Sequence, residues 1–314
     1  MFSIGVDIGG MSIKIGLVND NGQILSIRKI KTDKDQDLLI SGISNAINDI
    51  LQAENLDISQ IKGVGIGCPG SVSGDKGVVD FLPNLGWENI PLSQMLKDKL
   101  GYNLPVKIAN DADVAILAEV LFGSAKGYDN AVMFTLGTGV GGGVVIDKKL
   151  YLGSAGKGAE LGHATLIMDG LPCTCGRSGC VECYVSATAL IRQTKEQMLL
   201  DKDSKMWDFV GGNIDAVDGR TAFECAKQGD KSSIKVQDNY IKYLGESMLN
   251  MFNIFRPDVF ILGGGVSAQG DYLIDKLKTY CSAQNYGYKF SPEVKIVTAK
   301  LGNDAGIIGA ANIL

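Results

Sequence analysis

His163 is the only histidine in this 314-residue chain, and four of its seven cysteines, Cys173, Cys175, Cys180 and Cys183, lie within twenty residues of it. One imidazole and three thiolates on a glycine-rich knuckle can close a tetrahedral zinc site. Four protein ligands leave no position open, so a metal held that way is structural. Two carboxylates, Glu160 and Glu182, bracket the cluster. A metal there would pin both to one rigid platform, which suits a pocket that grips hydroxyl groups. An odd number of cysteines without a secretion signal also favours reduced thiols and a metal over disulfides.

A second group of candidates is made of glycines. The chain has 41, clustered in short runs, and runs of that kind mark places where backbone approaches something closely. Gly9-Gly10 follows the apolar stretch Phe2–Ile8, which carries Asp7 near its end. Gly137-Thr138-Gly139 follows the apolar stretch Val132–Leu136, and Gly264-Gly265 follows Val259–Leu262. Glycine turns bring backbone N–H groups up to phosphate oxygens with no Cβ in the way. Plain turns use the same residues, so one loop alone decides nothing. Laying Gly9 on Gly137, however, brings the polar turns at Asn19-Asp20 and at Asp147 almost together. That points to an internal duplication, two halves each offering one glycine loop. Gly137, Gly139 and Gly142 fit a GxGxxG spacing, as do Gly65, Gly67 and Gly70. Neither opens a helix as a dinucleotide fingerprint must, because the first runs on into a strand and the second is broken by Pro69.

The third group is Asn110-Asp111, where a short strand starting at Pro105 runs into a helix over Ala112–Phe122 that stops at Gly123. Short polar side chains at such a junction cap the free N–H groups. A carboxylate at the end of a strand, between two halves, is also where α/β enzymes place catalytic groups. Asn84 sits in a turn beside Trp87, where a solvated loop would serve as well.

Several elements must position these residues. Ile13, Ile15 and Leu17 alternate with polar or small residues and, with the Asn21-Gly22 turn, predict a three-stranded meander at the start. Leu39, Ile43, Ala46, Ile47 and Ile50 predict an amphipathic helix over 38–51, and Lys62–Cys68 a buried strand. Helices are predicted over Ala187–Leu200 and Ser232–Phe255, the second stopped by Arg256-Pro257. Strands follow at Val259–Leu262 and Val294–Val297, then a small-residue helix after Gly302. The length allows two domains. A net charge of −5 offers no basic footprint for nucleic acid. No apolar run approaches about 18 residues, so no membrane partner is expected. The cytoplasm is the expected location.

These residues together resemble the ROK family of sugar kinases and sugar-responsive repressors, and within it the bacterial glucokinases. The likeness is carried by Asp7-Ile8-Gly9-Gly10, Cys68-Pro69-Gly70, Asn84-Leu85-Gly86-Trp87, Asn110-Asp111-Ala112, the run from Leu136 to Gly143, Glu160-Leu161-Gly162-His163, Cys173 through Glu182, and Leu301 through Gly306. The ExGH and CxCGxxGCxE motifs are highly specific. The resemblance implies an actin-like ATPase (ribonuclease H-like) fold, with the active site in a cleft between two α/β domains. The smaller would be 1–110, with 302–314 returning to it, and the larger 111–301.

The resemblance also implies roles. Asp111 would be the general base. Asn84, Asn110, Asp111, Glu160, His163 and Glu182 would bind the sugar. Asp7, Gly9, Gly10, Ser12, Lys14, Gly137, Thr138, Gly139, Gly264 and Gly265 would bind ATP and its Mg2+. Structural Zn2+ would take His163, Cys173, Cys175 and Cys180, and a homodimer is the family's default. Two departures stand out: Met11 replaces a usual threonine in the first loop, and Ala159 replaces a usual glycine before ExGH. The expected activity is phosphorylation of a hexose, with glucose leading and N-acetylmannosamine, N-acetylglucosamine, fructose and β-glucosides behind it. A repressor is less expected, because the first loop's strand starts at Phe2 with no helix-turn-helix ahead of it. The remaining alternative is a zinc-stabilised binding protein whose kinase residues are relics.

Overall fold

The computed structural model describes residues 1–287, 290 and 292–314. Two compact units divide the chain. The first takes 1–129, 143–159 and 300–314, and the second takes 130–142 and 160–299.

The first unit opens with the predicted meander, β1 (Phe2–Ile8), β2 (Ser12–Asn19) and β3 (Ile24–Lys31), all antiparallel. The turn between β2 and β3 is held by Asn19, whose side-chain oxygen accepts the N–H groups of Asn21 and Gln23. Helix α1 (Gln36–Ala53) starts at Asp35, whose carboxylate accepts the Leu38 N–H at 3.0 Å, a cap that satisfies an otherwise orphaned donor. Strand β4 (Ile61–Cys68) then joins β1 in parallel. Its nearly continuous burial is that of a parallel strand covered on both faces. A small antiparallel sheet follows, β5 (Ser71–Ser73), β6 (Val78–Leu82) and β7 (Trp87–Ile90). After α2 (Leu92–Leu100), strand β8 (Val106–Asn110) pairs in parallel with β4 and leads directly into α3 (Asp111–Phe122). The main sheet is therefore ordered β3-β2-β1-β4-β8.

In the second unit β9 (Ala131–Leu136) turns at 137–139 into β10 (Val140–Ile146), which begins in this unit and runs on into the first. Strand β11 (Lys149–Leu150) pairs antiparallel with the end of β10. Helices α4 (Glu182–Val185), α5 (Ala187–Leu200), α6 (Lys205–Phe209), α7 (Thr221–Lys227) and α8 (Lys231–Phe255) precede β12 (Val259–Gly263). Helix α8 ends at Arg256, which takes φ of 43° before Pro257. After α9 (Asp271–Gln284) comes β13 (Lys295–Thr298). Strand β12 lies between β9 and β13, all parallel, as β4 lies between β1 and β8. The repeated order matches the duplication read from the sequence.

The chain then returns to the first unit as α10 (Ala305–Ala310). A Cβ at Gly5 or Gly65 would stand 2.0 or 1.7 Å from a carbonyl oxygen of Ile307 or Ala310. Bare backbone at β1 and β4 is thus what lets α10 lie on them. Gly309 meets the Val114 backbone in the same way, so α3 packs with the first unit. The expected division at 110/111 had placed α3 in the other half, since sequence order says nothing of that close approach. No helix among the described residues is long and apolar enough to cross a membrane.

Candidate active site

Parallel pairing lines up three strand ends in the first unit. Asp7 is registered with Gly67, and Cys68 with Asn110. Asp7, the Gly9-Gly10 turn, Cys68 and Asn110-Asp111 therefore share the carboxyl edge of one sheet, where α/β folds bind ligands. Lys14, the register partner of Asp7 on β2, brings its Nζ 4.0 Å from Asp7 Oδ2 and donates to the Asn303 carbonyl at 2.9 Å. Burial pushes the Asp7 carboxyl above its usual value. The charge of Asp111 adds to that and Lys14 opposes it.

The first loop is closed by the Gly9 N–H donating to the Ser12 carbonyl at 3.1 Å. A Cβ on Gly9 would lie 2.8 Å from that same oxygen, so glycine is needed there. Thr32, just past β3, secures the loop from behind. Its hydroxyl donates to the Gly9 carbonyl at 2.6 Å and its N–H to the Met11 carbonyl at 3.2 Å. Sequence reasoning missed Thr32, because nothing local marks a threonine that bonds 23 residues back. Met11 itself points to solvent, 88% exposed, and contributes only backbone to the loop.

Asn110 is the N-cap of α3. Its Oδ1 accepts the Ala112 N–H at 2.8 Å, while Nδ2 donates to the Gly70 carbonyl at 3.0 Å. Asp111 Oδ1 also accepts the Ala112 N–H, at 2.9 Å. Solvent reaches the Asp111 carboxylate, yet protein crowds around it. That loss of bulk hydration pushes its pKa up against the pull of the backbone N–H groups. Neighbouring Cys68 is pushed to about 12 by burial, with a further rise from the Asp111 charge. A carboxylate more basic than usual, open to solvent at one end, is equipped to take a proton. Asn84 is exposed in the turn between β6 and β7. Trp87 anchors that turn, buried and donating its indole N–H to the Lys34 carbonyl at 3.1 Å.

In the second unit the two glycine turns lie side by side. Gly263 is registered with Thr135, and a Cβ on Gly264, which takes φ of +80°, would lie 2.5 to 2.7 Å from backbone atoms of Leu136. Gly137, Thr138, Gly139, Gly264 and Gly265 thus gather at the carboxyl ends of β9 and β12.

The knuckle brings its four candidate ligands together. Donor atoms of His163, Cys173, Cys175 and Cys180 all lie within 4.8 Å of one another. His163 Nδ1 is 3.7 Å from the Cys173 sulfur, and the Cys175 and Cys180 sulfurs are also 3.7 Å apart. A tetrahedron of ligands about 2.3 Å from zinc has edges of about 3.8 Å, so the donor set fits the ion in both chemistry and spacing. The Arg177 N–H holds the Cys175 thiol below its usual value, which favours the thiolate. Cys183 is outside the group, with its sulfur 3.5 Å from the Pro172 carbonyl. Arg177 braces the knuckle by donating to the His163 carbonyl at 3.3 Å and to the Thr165 hydroxyl at 2.8 Å. With Nδ1 turned to the sulfurs, His163 keeps Nε2 for another partner. Glu160, exposed, precedes the short turn Leu161–His163. Glu182 heads α4, and its Oε2 accepts the Val140 N–H at 2.9 Å.

Comparison with known proteins is consistent over the whole length. The profile described as ROK family matches residues 3–314. The glucokinase of Thermotoga maritima is 36% identical over 315 residues, covering 99% of this chain and 96% of the relative. That of Streptomyces coelicolor is 34% identical over 313 residues, with the same coverage. The crystal structure of a ROK family glucokinase from Streptomyces griseus, in complex with glucose and AMPPNP, superposes with a TM-score of 0.83 at 34% identity. That match covers 100% of this chain and 99% of the other.

Proposed function

We propose, because this chain belongs to the ROK family, that it is an ATP-dependent hexose kinase with the actin-like ATPase fold, converting glucose to glucose 6-phosphate. The observation that carries the mechanism is Asp111. It is a solvent-reachable carboxylate of raised basicity at the first turn of α3, on the same sheet edge as Asp7 and the first glycine turn. Its carboxylate takes the proton of the sugar 6-hydroxyl while that oxygen attacks the γ-phosphorus of ATP. The bond from the γ-phosphorus to the bridging oxygen breaks, and ADP leaves. Little covalent work falls to the protein in such a transfer, which depends on positioning and charge.

Asn84, Glu160, His163 through Nε2, and Glu182 hold the sugar hydroxyls, and Asn110 orients the start of α3. Gly9, Gly10, Ser12, Gly137, Thr138 and Gly139 receive the phosphates, with Gly264 and Gly265 against the nucleoside. Asp7, set by Lys14, would hold Mg2+ directly or through water, and that ion would neutralise phosphate oxygens. His163, Cys173, Cys175 and Cys180 would hold Zn2+, whose contribution is to fix the knuckle. A homodimer and a cytoplasmic location complete the reading.

The test is a coupled ADP-release assay across glucose, fructose, N-acetylmannosamine, N-acetylglucosamine and β-glucosides. Turnover is expected to be best with glucose. No turnover with any of them would leave a binding protein as the better account.

A further inference from the structure

The Glu182 carboxylate faces two ways. Oε2 accepts the Val140 N–H at 2.9 Å, and Oε1 stands 3.9 Å from the Cys173 sulfur. Val140 directly follows Gly139, so the bond to Oε2 closes the second glycine turn where it enters β10. Gly139 makes room for it, since a Cβ there would lie 2.3 Å from Glu182 Oε2. Two further bonds reach the same turn from residues just beyond α4. The Ala187 N–H donates to the Gly137 carbonyl at 2.8 Å, and the Thr188 hydroxyl to the Thr138 carbonyl at 2.8 Å. Backbone groups at 137, 138 and 140 are therefore all bonded into the segment 182–188, which starts two residues after the ligand Cys180. On the other side of the knuckle, a Cβ on Gly162 would strike the Val140 carbonyl at 2.0 Å, so the backbone preceding His163 also rests on this turn.

We propose that Glu182 is a positioning residue for the nucleotide. Its Oε2 holds the Gly137–Val140 turn in the shape that receives phosphate, and through it the order of the Cys/His knuckle reaches the nucleotide as well as the sugar. This rests on reading that turn as a phosphate loop. Oε1 is left for a sugar hydroxyl, so one carboxylate serves both substrates. The bond to Oε2 is charge-assisted and fixes a backbone donor at the first residue of β10, the kind of hydrogen bond that shapes a loop most strongly.

The test is ADP binding with Mg2+ and no sugar, measured by isothermal titration calorimetry, with bound zinc quantified in each variant. Glu182→Ala is expected to weaken ADP by about ten-fold or more at unchanged zinc content. Glu182→Gln, whose amide oxygen still accepts the Val140 N–H, should stay within about three-fold of the parent. Should Glu182→Ala fail to fold or lose zinc, Glu182→Asp keeps the charge but withdraws the oxygen by one methylene, and it should weaken ADP too. Parent-like ADP affinity in the Ala or Asp variant, with only sugar binding lost, would overturn the proposal. Hydrogen exchange of the Val140 amide separates this from the kinase reading. It should be slow in the parent and in Glu182→Gln and fast in Glu182→Ala, even if the parent were to bind no nucleotide. Fast exchange in the parent would overturn the positioning role outright.

Discussion

A Cβ on Gly306 would lie 2.6 Å from the carboxyl carbon of Asp7, so helix α10 meets the acidic end of β1 with only a glycine hydrogen between them. Lys14 ties the same corner together, 4.0 Å from Asp7 and bonded to the Asn303 carbonyl. The C-terminal turn thus sets the rotamer of a carboxylate 299 positions earlier in the chain.

Gly306→Ala should therefore swing Asp7 away from its place. The overpacking costs about 1–3 kcal/mol of stability, and the KM for ATP should rise about ten-fold while that for glucose changes little. Steady-state kinetics with each substrate varied in turn, alongside a thermal melt, checks this. An unchanged KM for ATP would remove Asp7 from the nucleotide site.

Asp111→Ala should lower kcat by roughly 10²- to 10⁴-fold, the usual contribution of a general base, and leave glucose binding in place. Calorimetry of glucose binding and an ADP-release assay on the same preparation give both numbers. Retained turnover would mean that another group takes the proton.

The raised carboxyls give a pH signature. As the proposed general base Asp111 would have to be ionised to act, so kcat/KM should fall as pH drops through its folded-state pKa, and that acid limb should lie above the ordinary value of 3.8. Stability runs the other way. Between 3.8 and the raised value the folded protein binds more protons than the unfolded chain, so Asp7 and Asp111 make folding more favourable as pH falls through that window. Asp111→Asn should flatten that part of a stability-against-pH curve and raise stability at neutral pH. A curve superposable on the parent's would show that the carboxylate is hydrated like any surface aspartate.

Ala159 takes φ of +60°, a left-handed conformation that costs a residue with a Cβ roughly 1–2 kcal/mol. Ala159→Gly should accordingly leave the melting temperature unchanged or raise it, where the same change at an ordinary position lowers it. A drop of several degrees would count against the strain.

If the knuckle holds zinc as proposed, a strong chelator should lower the melting temperature and weaken glucose binding together, because the proposed sugar ligands His163 and Glu182 would lose their common support. Glucose affinity that survives a loss of zinc confirmed by elemental analysis would sever that link.

Much of the layout of the candidate site was legible in the sequence, because local rules write it. Apolar runs closed by glycine place the turns at 9–10, 137–139 and 264–265. A polar pair at a strand-to-helix junction places Asn110 and Asp111, and cysteine spacing places the knuckle. Each signal lies within about a dozen residues, where backbone sterics and periodicity govern. The repeated strand order was visible for the same reason, since each half carries its own strand, glycine turn and strand.

Tertiary structure alone decided the rest. Which histidine nitrogen meets the sulfurs, that Cys183 stays out, that Thr32 ties down the first loop and Lys14 joins Asp7 to Asn303, that Glu182 closes the second loop, and that α3 lies against α10 all depend on partners brought together by sheet register and by close backbone packing. Lys14 and Asn303 are 289 residues apart, and Glu182 and Val140 are 42 apart. No local propensity reaches that far. The residue types of the candidate site follow from the sequence, while the contacts that place them depend on tertiary packing, as where Gly5, Gly65 and Gly309 let one element's backbone settle onto another's.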